Sequence, residues 1–257
     1  MGTRWPCIRR SGAVRLRLLP LHTSRTTVLL GYGSTEEVVR VVQKIRHQFD
    51  SLDAAELFYE DGANLVAEAF NVAIPFVAPV YLLLEFSADV DLASDIESHL
   101  AQSNFAGLSA VAQDELGRAK LWRLREEHTA AISMHGVPHK FDVTVAVSDL
   151  PKFIEKTRQG ISETNADWTV FIFGHAADGN MHVNVLGPSA TDELVDEVVL
   201  QVVAEFKGSI SAEHGIGSAK KKWLSLSRSH NEIAMMKAIK GAIDPQGMMN
   251  PNTLFAN

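Results

Sequence analysis

The sequence predicts an α+β domain, an antiparallel sheet with helices on one face and further helices at the C-terminus. Three observations carry this. Short runs rich in Val, Leu, Ile, Phe and Thr alternate with amphipathic segments along the chain. Asp178-Gly179 stands between two such runs as the dipeptide of a tight hairpin. The 257 residues, 46% of them hydrophobic, suffice to bury a sizeable core.

The elements follow in order. Residues 14–19 read as a strand, and so do residues 26–30. Ser34-Thr35-Glu36-Glu37 is a capping box that opens a helix running to about Phe49, with Val38, Val41, Val42 and Ile45 on one stripe. Strand 52–58, helix 61–69, strand 80–86, helix 91–101 and strand 106–111 come next. A helix over 119–136 ends at Gly136. Strand 141–147 and a helix over 150–159 lead to the hairpin, whose arms are 168–173 and 181–185. Helices over 192–206, 218–227 and 231–243 complete the chain, the last stopping before Pro245.

The hairpin concentrates imidazoles. With Asp178 and Gly179 as a two-residue type I′ turn, His175 lies directly opposite His182; with a four-residue loop the two become diagonal neighbours. Either register keeps both on one face together with Asn184, because side chains alternate with period two. Such a pair also occurs as satisfied structural histidines. Some thirty residues on, Ser211 to Gly217 reads S-A-E-H-G-I-G and adds Glu213 and His214. Two imidazoles and a carboxylate make a metal site of the kind zinc or manganese accepts, with an open position for substrate. Neighbouring side chains on a non-helical segment point apart, so Glu213 and His214 can serve different tasks. On the helix over 119–136, Arg125 and Thr129 share a face. Arginine is the natural bidentate partner of a carboxylate, and Lys140 offers a second cation. Taken alone, those three also suit a solvated helix face and a strand-edge lysine.

G-H-A-A-D-G-N-M-H-V-N, S-A-E-H-G-I-G-S-A-K-K-K-W-L and I-D-P-Q-G-M-M-N-P-N together resemble the C-terminal half of FAD-linked 2-hydroxy-acid dehydrogenases. That family holds the D-lactate, glycolate and D-2-hydroxyglutarate dehydrogenases, within the vanillyl-alcohol-oxidase flavoprotein superfamily. The resemblance implies an FAD cofactor, a D-2-hydroxy acid substrate and the fold of the family's cap. It implies His175, His182 and Glu213 as ligands of a divalent metal, and His214 as the base that takes the hydroxyl proton. Arg125, Thr129, Lys140 and Asn184 then contact substrate, and Asn250 lies near the flavin. The lysine that commonly follows the family's Asn-Pro is Asn252 here.

The same resemblance sets the expected domain division. Residues 1–13 are arginine-rich and lack acids, which suits a start-site artefact or truncation scar. Residues 1–20 then comprise that scar and the last strand of a missing FAD-binding domain, and residues 21–257 form the FAD-linked oxidase C-terminal domain. The glycine-rich pyrophosphate loop of the family is absent, and Gly31-Tyr32-Gly33 before a helix is only a weak phosphate signal. A separately encoded flavin domain or subunit is the partner this implies. Two other readings stay open: a non-catalytic remnant, and a flavin-independent metal hydrolase using the same ligands.

Bulk composition narrows the field further. A net charge of −7 without a basic, aromatic-interleaved stripe argues against nucleic acid. The most apolar run, residues 73–84, contains Pro75 and Pro79 and is too short to span a bilayer. A lone cysteine, Cys7, excludes an intrachain disulfide and suits a reducing cytoplasm.

Overall fold

The computed structural model describes Leu16, Leu18, His22 and residues 24–90, 94–96, 98 and 108–255. Residues 1–13 and most of the strand expected over 14–19 lie outside the described residues, as does most of the helix expected over 91–101. The strands are β1 (Ser24–Tyr32), β2 (Leu52–Tyr59), β3 (Val80–Ala88), β4 (Ser109–Ala112), β5 (His139–Thr144), β6 (Thr169–His175) and β7 (Asn180–Leu186). They form one sheet in the order β4-β1-β3-β2-β6-β7-β5, with every neighbouring pair antiparallel. The helices among the described residues are α1 (Thr35–Gln48), α2 (Glu60–Phe70), α3 (Glu115–Glu126), α4 (His128–Met134), α5 (Leu150–Thr164), α6 (Leu194–Glu205) and α7 (His230–Ile243).

The α+β class and the antiparallel sheet are as expected, but helices cover both faces. On one, α1, α5 and α6 pack Val38, Val42, Phe153 and Val199 against Leu30, Leu82 and Ile172. On the other, α2, α3 and α4 pack Val66, Leu124 and Ile132 against Leu29, Leu83 and Phe173. The run Val80-Tyr81-Leu82-Leu83-Leu84 explains why: all five residues are buried, so β3 needs cover on both sides. The capping box forms as read, with Ser34 accepting from Glu37 N–H while the Glu37 carboxylate accepts from Ser34 N–H.

Three local expectations change. The helix over 119–136 is interrupted at Glu127, and the His128 imidazole turns back to the Arg125 carbonyl at 3.2 Å. The helix over 218–227 is instead a 3₁₀ segment, Lys221–Leu226. The hairpin closes through four residues, 176–179, so His175 pairs with Asn180 and His182 with Phe173. The type I′ turn is absent because only Gly179 takes positive φ (80°), while the Asp178 carboxylate accepts from Asn180 N–H at 3.0 Å.

Gly179 is the position this loop depends on. A Cβ there would stand 2.0 Å from the Val145 carbonyl oxygen, in a conformation that disfavours side chains. Gly179→Ala should therefore cost roughly 3 kcal/mol, read as a lower urea midpoint with unchanged slope. An unchanged midpoint would show that the loop does not pack against Val145 in this way.

Candidate functional site

Antiparallel register gathers the polar groups. Glu56 on β2 lies opposite His175 on β6. Asp142 on β5 lies opposite His182 on β7, and Lys140 lies opposite Asn184. Directly opposed residues share a face, so these side chains form a row across four strands on the side covered by α2, α3 and α4. From α3, Arg125 reaches down onto the row. Its Nε donates to Glu56 Oε2 at 2.7 Å, and its guanidinium carbon sits 4.6 Å from the centre of the Phe173 ring. The other Glu56 oxygen, Oε1, is 2.5 Å from His175 Nδ1.

The two imidazoles lie edge to face with ring centres 5.8 Å apart. Each has a carboxylate behind its Nδ1, Glu56 for His175 and Asp142, at 3.7 Å, for His182. The bond to Glu56 raises the His175 pKa above its ordinary value, whereas burial and the nearby Arg125 charge lower that of His182. Burial works to raise the Asp142 carboxyl, yet the N–H groups of Glu213 and His214, with the His214 and His182 imidazoles, hold it below the usual range.

The segment after α6 completes the edge. Ser209 and Thr144 exchange backbone bonds of 2.8 and 3.0 Å, and Ala212 N–H donates to the Asp142 carbonyl at 3.1 Å. Gly215 and Gly217 then take positive φ, and the C-terminal tail returns through Leu254 N–H to the Gly217 carbonyl at 2.8 Å. Glu213 and His214 are tied down by their backbone while their side chains are exposed, that of His214 by 72%.

Most expected site residues are thus placed together, but not all. His175, His182, Asn184 and Lys140 share the face beneath Arg125. Thr129 is exposed at the start of α4, beyond the break at Glu127. Asn250 is exposed in the C-terminal turn. The expected metal triad is not gathered: among the described residues no three His, Cys, Asp or Glu side chains are arranged to hold an ion. The Glu213 side chain is exposed, while the backbone N–H groups of Glu213 and His214 both bind Asp142.

The histidine pair itself fits a metal. Two imidazoles on one ion, with metal–nitrogen distances of about 2.1 Å, hold their ring centres roughly 5 to 6 Å apart. Carboxylates behind both Nδ1 atoms leave both Nε2 atoms outward, the usual support of metal-binding histidine. A phosphate cradle at Gly31-Tyr32-Gly33 does not fit, because Glu37 already accepts from the N–H groups of Gly33 and Ser34.

Sequence reasoning missed Glu56, Asp142 and His128. The signal for the first two was a carboxylate inside an otherwise apolar strand, in A-A-E-L-F and K-F-D-V. His128 is 1% exposed, set between the rings of Phe58 and Phe173.

This two-sided antiparallel fold is shared with solved structures of low sequence identity. The 4-ethylphenol oxidase of Gulosibacter chungangensis superposes with a TM-score of 0.64 at 13% identity, over 93% of this chain and 55% of that one. The chain belongs to the family of FAD linked oxidases, C-terminal domain, whose profile matches residues 21–254. It is 34% identical over 255 residues to the D-2-hydroxyglutarate dehydrogenase of Stutzerimonas stutzeri, covering 94% of this chain and 54% of that protein. The D-2-hydroxyglutarate dehydrogenase of Xanthomonas citri pv. viticola is 35% identical over 255 residues, covering 93% and 53%. The chain spans about half the length of these relatives. No helix among the described residues is long and apolar enough to cross a membrane.

Proposed function

We propose that this chain is the substrate-binding portion of an FAD-dependent oxidoreductase that converts a D-2-hydroxy acid to the 2-oxo acid. The observation that carries the reading is Arg125, held by Glu56 over Phe173 beside the paired imidazoles. Its bond to Glu56 uses Nε, so the terminal guanidinium nitrogens can take a carboxylate, with Lys140 as the second cation. Asn184 and Thr129 contact the rest of the substrate. His214, exposed at the rim, takes the hydroxyl proton as general base. His175 and His182, with Glu213 as third ligand, would hold a divalent metal, zinc or manganese. When bound, such an ion acidifies the C2 hydroxyl as a Lewis acid. FAD, carried by a separate domain or subunit and touched by Asn250, supplies the electron acceptor.

Calorimetry on the full chain tests this reading with zinc and D-2-hydroxyglutarate as titrants. One zinc should bind, be lost in His182→Ala and be retained in His214→Ala. Arg125→Lys should weaken the hydroxy acid by at least about tenfold, because an ammonium cannot reproduce the planar fork. Equal affinity in the lysine variant would remove Arg125 from the carboxylate site.

A further inference from the structure

Asp142 is joined to the 209–220 segment by more bonds than secondary structure requires. Its backbone carbonyl accepts from Ala212 N–H at 3.1 Å and from Lys220 Nζ at 3.2 Å. Its carboxylate Oδ2 accepts from Glu213 N–H at 2.7 Å and His214 N–H at 3.1 Å, and lies 4.0 Å from His214 Nδ1. The second oxygen, Oδ1, is buried without a hydrogen-bond partner and faces His182 Nδ1 at 3.7 Å. The side chain is 2% exposed, so water competes for none of these contacts.

We propose that Asp142 is the positioning residue of this site: one carboxylate oxygen fixes the Glu213–His214 backbone, and the other orients the His182 ring. One group thereby sets the rim segment and the imidazole pair in a common frame. An unpartnered carboxylate oxygen favours a proton on the ring nitrogen facing it, which makes His182 the Nδ1–H tautomer and leaves Nε2 with a free lone pair. Lys220, half-buried between the Asp142 and Ile210 carbonyls, closes the base of the same segment. The inference rests on the proposed roles of His182 and His214, but it concerns geometry that can be read without substrate or flavin.

The test uses the full chain at pH 8 with two variants. Asp142→Asn can still offer one oxygen to the two N–H groups, because its NH₂ facing them would be repelled. That NH₂ must then point at His182 and reverse the polarity there. Long-range ¹⁵N–¹H spectra should show His182 as Nδ1–H in the wild type and as Nε2–H in Asp142→Asn. Amide exchange at Glu213 and His214 should stay within about tenfold of wild type in Asp142→Asn and rise by more than that in Asp142→Ala. Zinc affinity in Asp142→Asn should fall by about 10- to 100-fold, the usual effect of altering a group behind a metal-binding histidine. An unchanged tautomer in Asp142→Asn overturns the proposal, as does unchanged amide protection in Asp142→Ala. If Asp142→Ala does not fold, the tautomer in Asp142→Asn decides alone. A wild-type chain that binds no zinc counts against the proposed metal, while the tautomer and exchange results still decide the role of Asp142.

Discussion

Glu56→Ala is expected to destabilise the protein by about 3–5 kcal/mol, the cost of removing one partner from a buried ion pair. Glu56 is 4% exposed and holds Arg125 through one oxygen and His175 through the other. Its loss leaves a guanidinium against Phe173 with no compensating charge. Glu56→Gln should fall between alanine and wild type, since its amide oxygen can still accept from Arg125 Nε while the charge is gone. Urea denaturation at pH 8 measures both. A loss below about 1 kcal/mol in the alanine variant would put this contact in the class of exposed surface pairs.

Acid should weaken the fold through His128. Burial, with the Arg125 charge adding to it, pushes this imidazole from 6.5 down to about 3, despite its backbone hydrogen bonds. In the unfolded chain the same group titrates near its reference value of about 6.5. Between those two values the unfolded state binds a proton that the native state does not. Stability therefore falls as pH drops, by up to about 1.4 kcal/mol per unit and about 5 kcal/mol over the whole window. Above pH 6.5 the group adds no pH dependence. Comparing urea midpoints at pH 7 and pH 5 isolates it: His128→Leu should lose about 2 kcal/mol less than wild type over that interval. Equal losses would mean that His128 titrates normally and is not sealed in the core.

The elements were legible where local chemistry agrees with tertiary packing. The Ser34 and Glu37 capping box, the stripe of Val38, Val42 and Ile45, and the hairpin arms formed as read. The second helical layer was less visible, because a strand such as Val80-Tyr81-Leu82-Leu83-Leu84 shows no alternation to reveal how many faces it buries. The turn register depended on a contact distant in sequence, the bond from Ala176 N–H to the Ala55 carbonyl at 2.8 Å. For the site, spacing placed His175, His182 and Asn184 on one face, as found. It could not supply Glu56 or Asp142, which join that face from strands far away in sequence. Nor could it show that both backbone N–H groups of the Glu213–His214 pair are spent on Asp142.

The strand order holds a further consequence. β1, α1, β2 and β3 assemble as β1-β3-β2, and β5, α5, β6 and β7 assemble as β5-β7-β6, with α1 and α5 on the same face. The two strand orders are thus related by a pseudo-twofold, and the sheet is continuous across the join because β2 pairs with β6. The ladder at that seam is two pairs long, Glu56 with His175 and Leu57 with Gly174. Strict symmetry would set like beside like at the axis. Here one unit contributes a carboxylate and the other an imidazole, so the join between the halves is itself polar and directional. The carboxylate that meets His175 across this join is also the one that holds Arg125 in place.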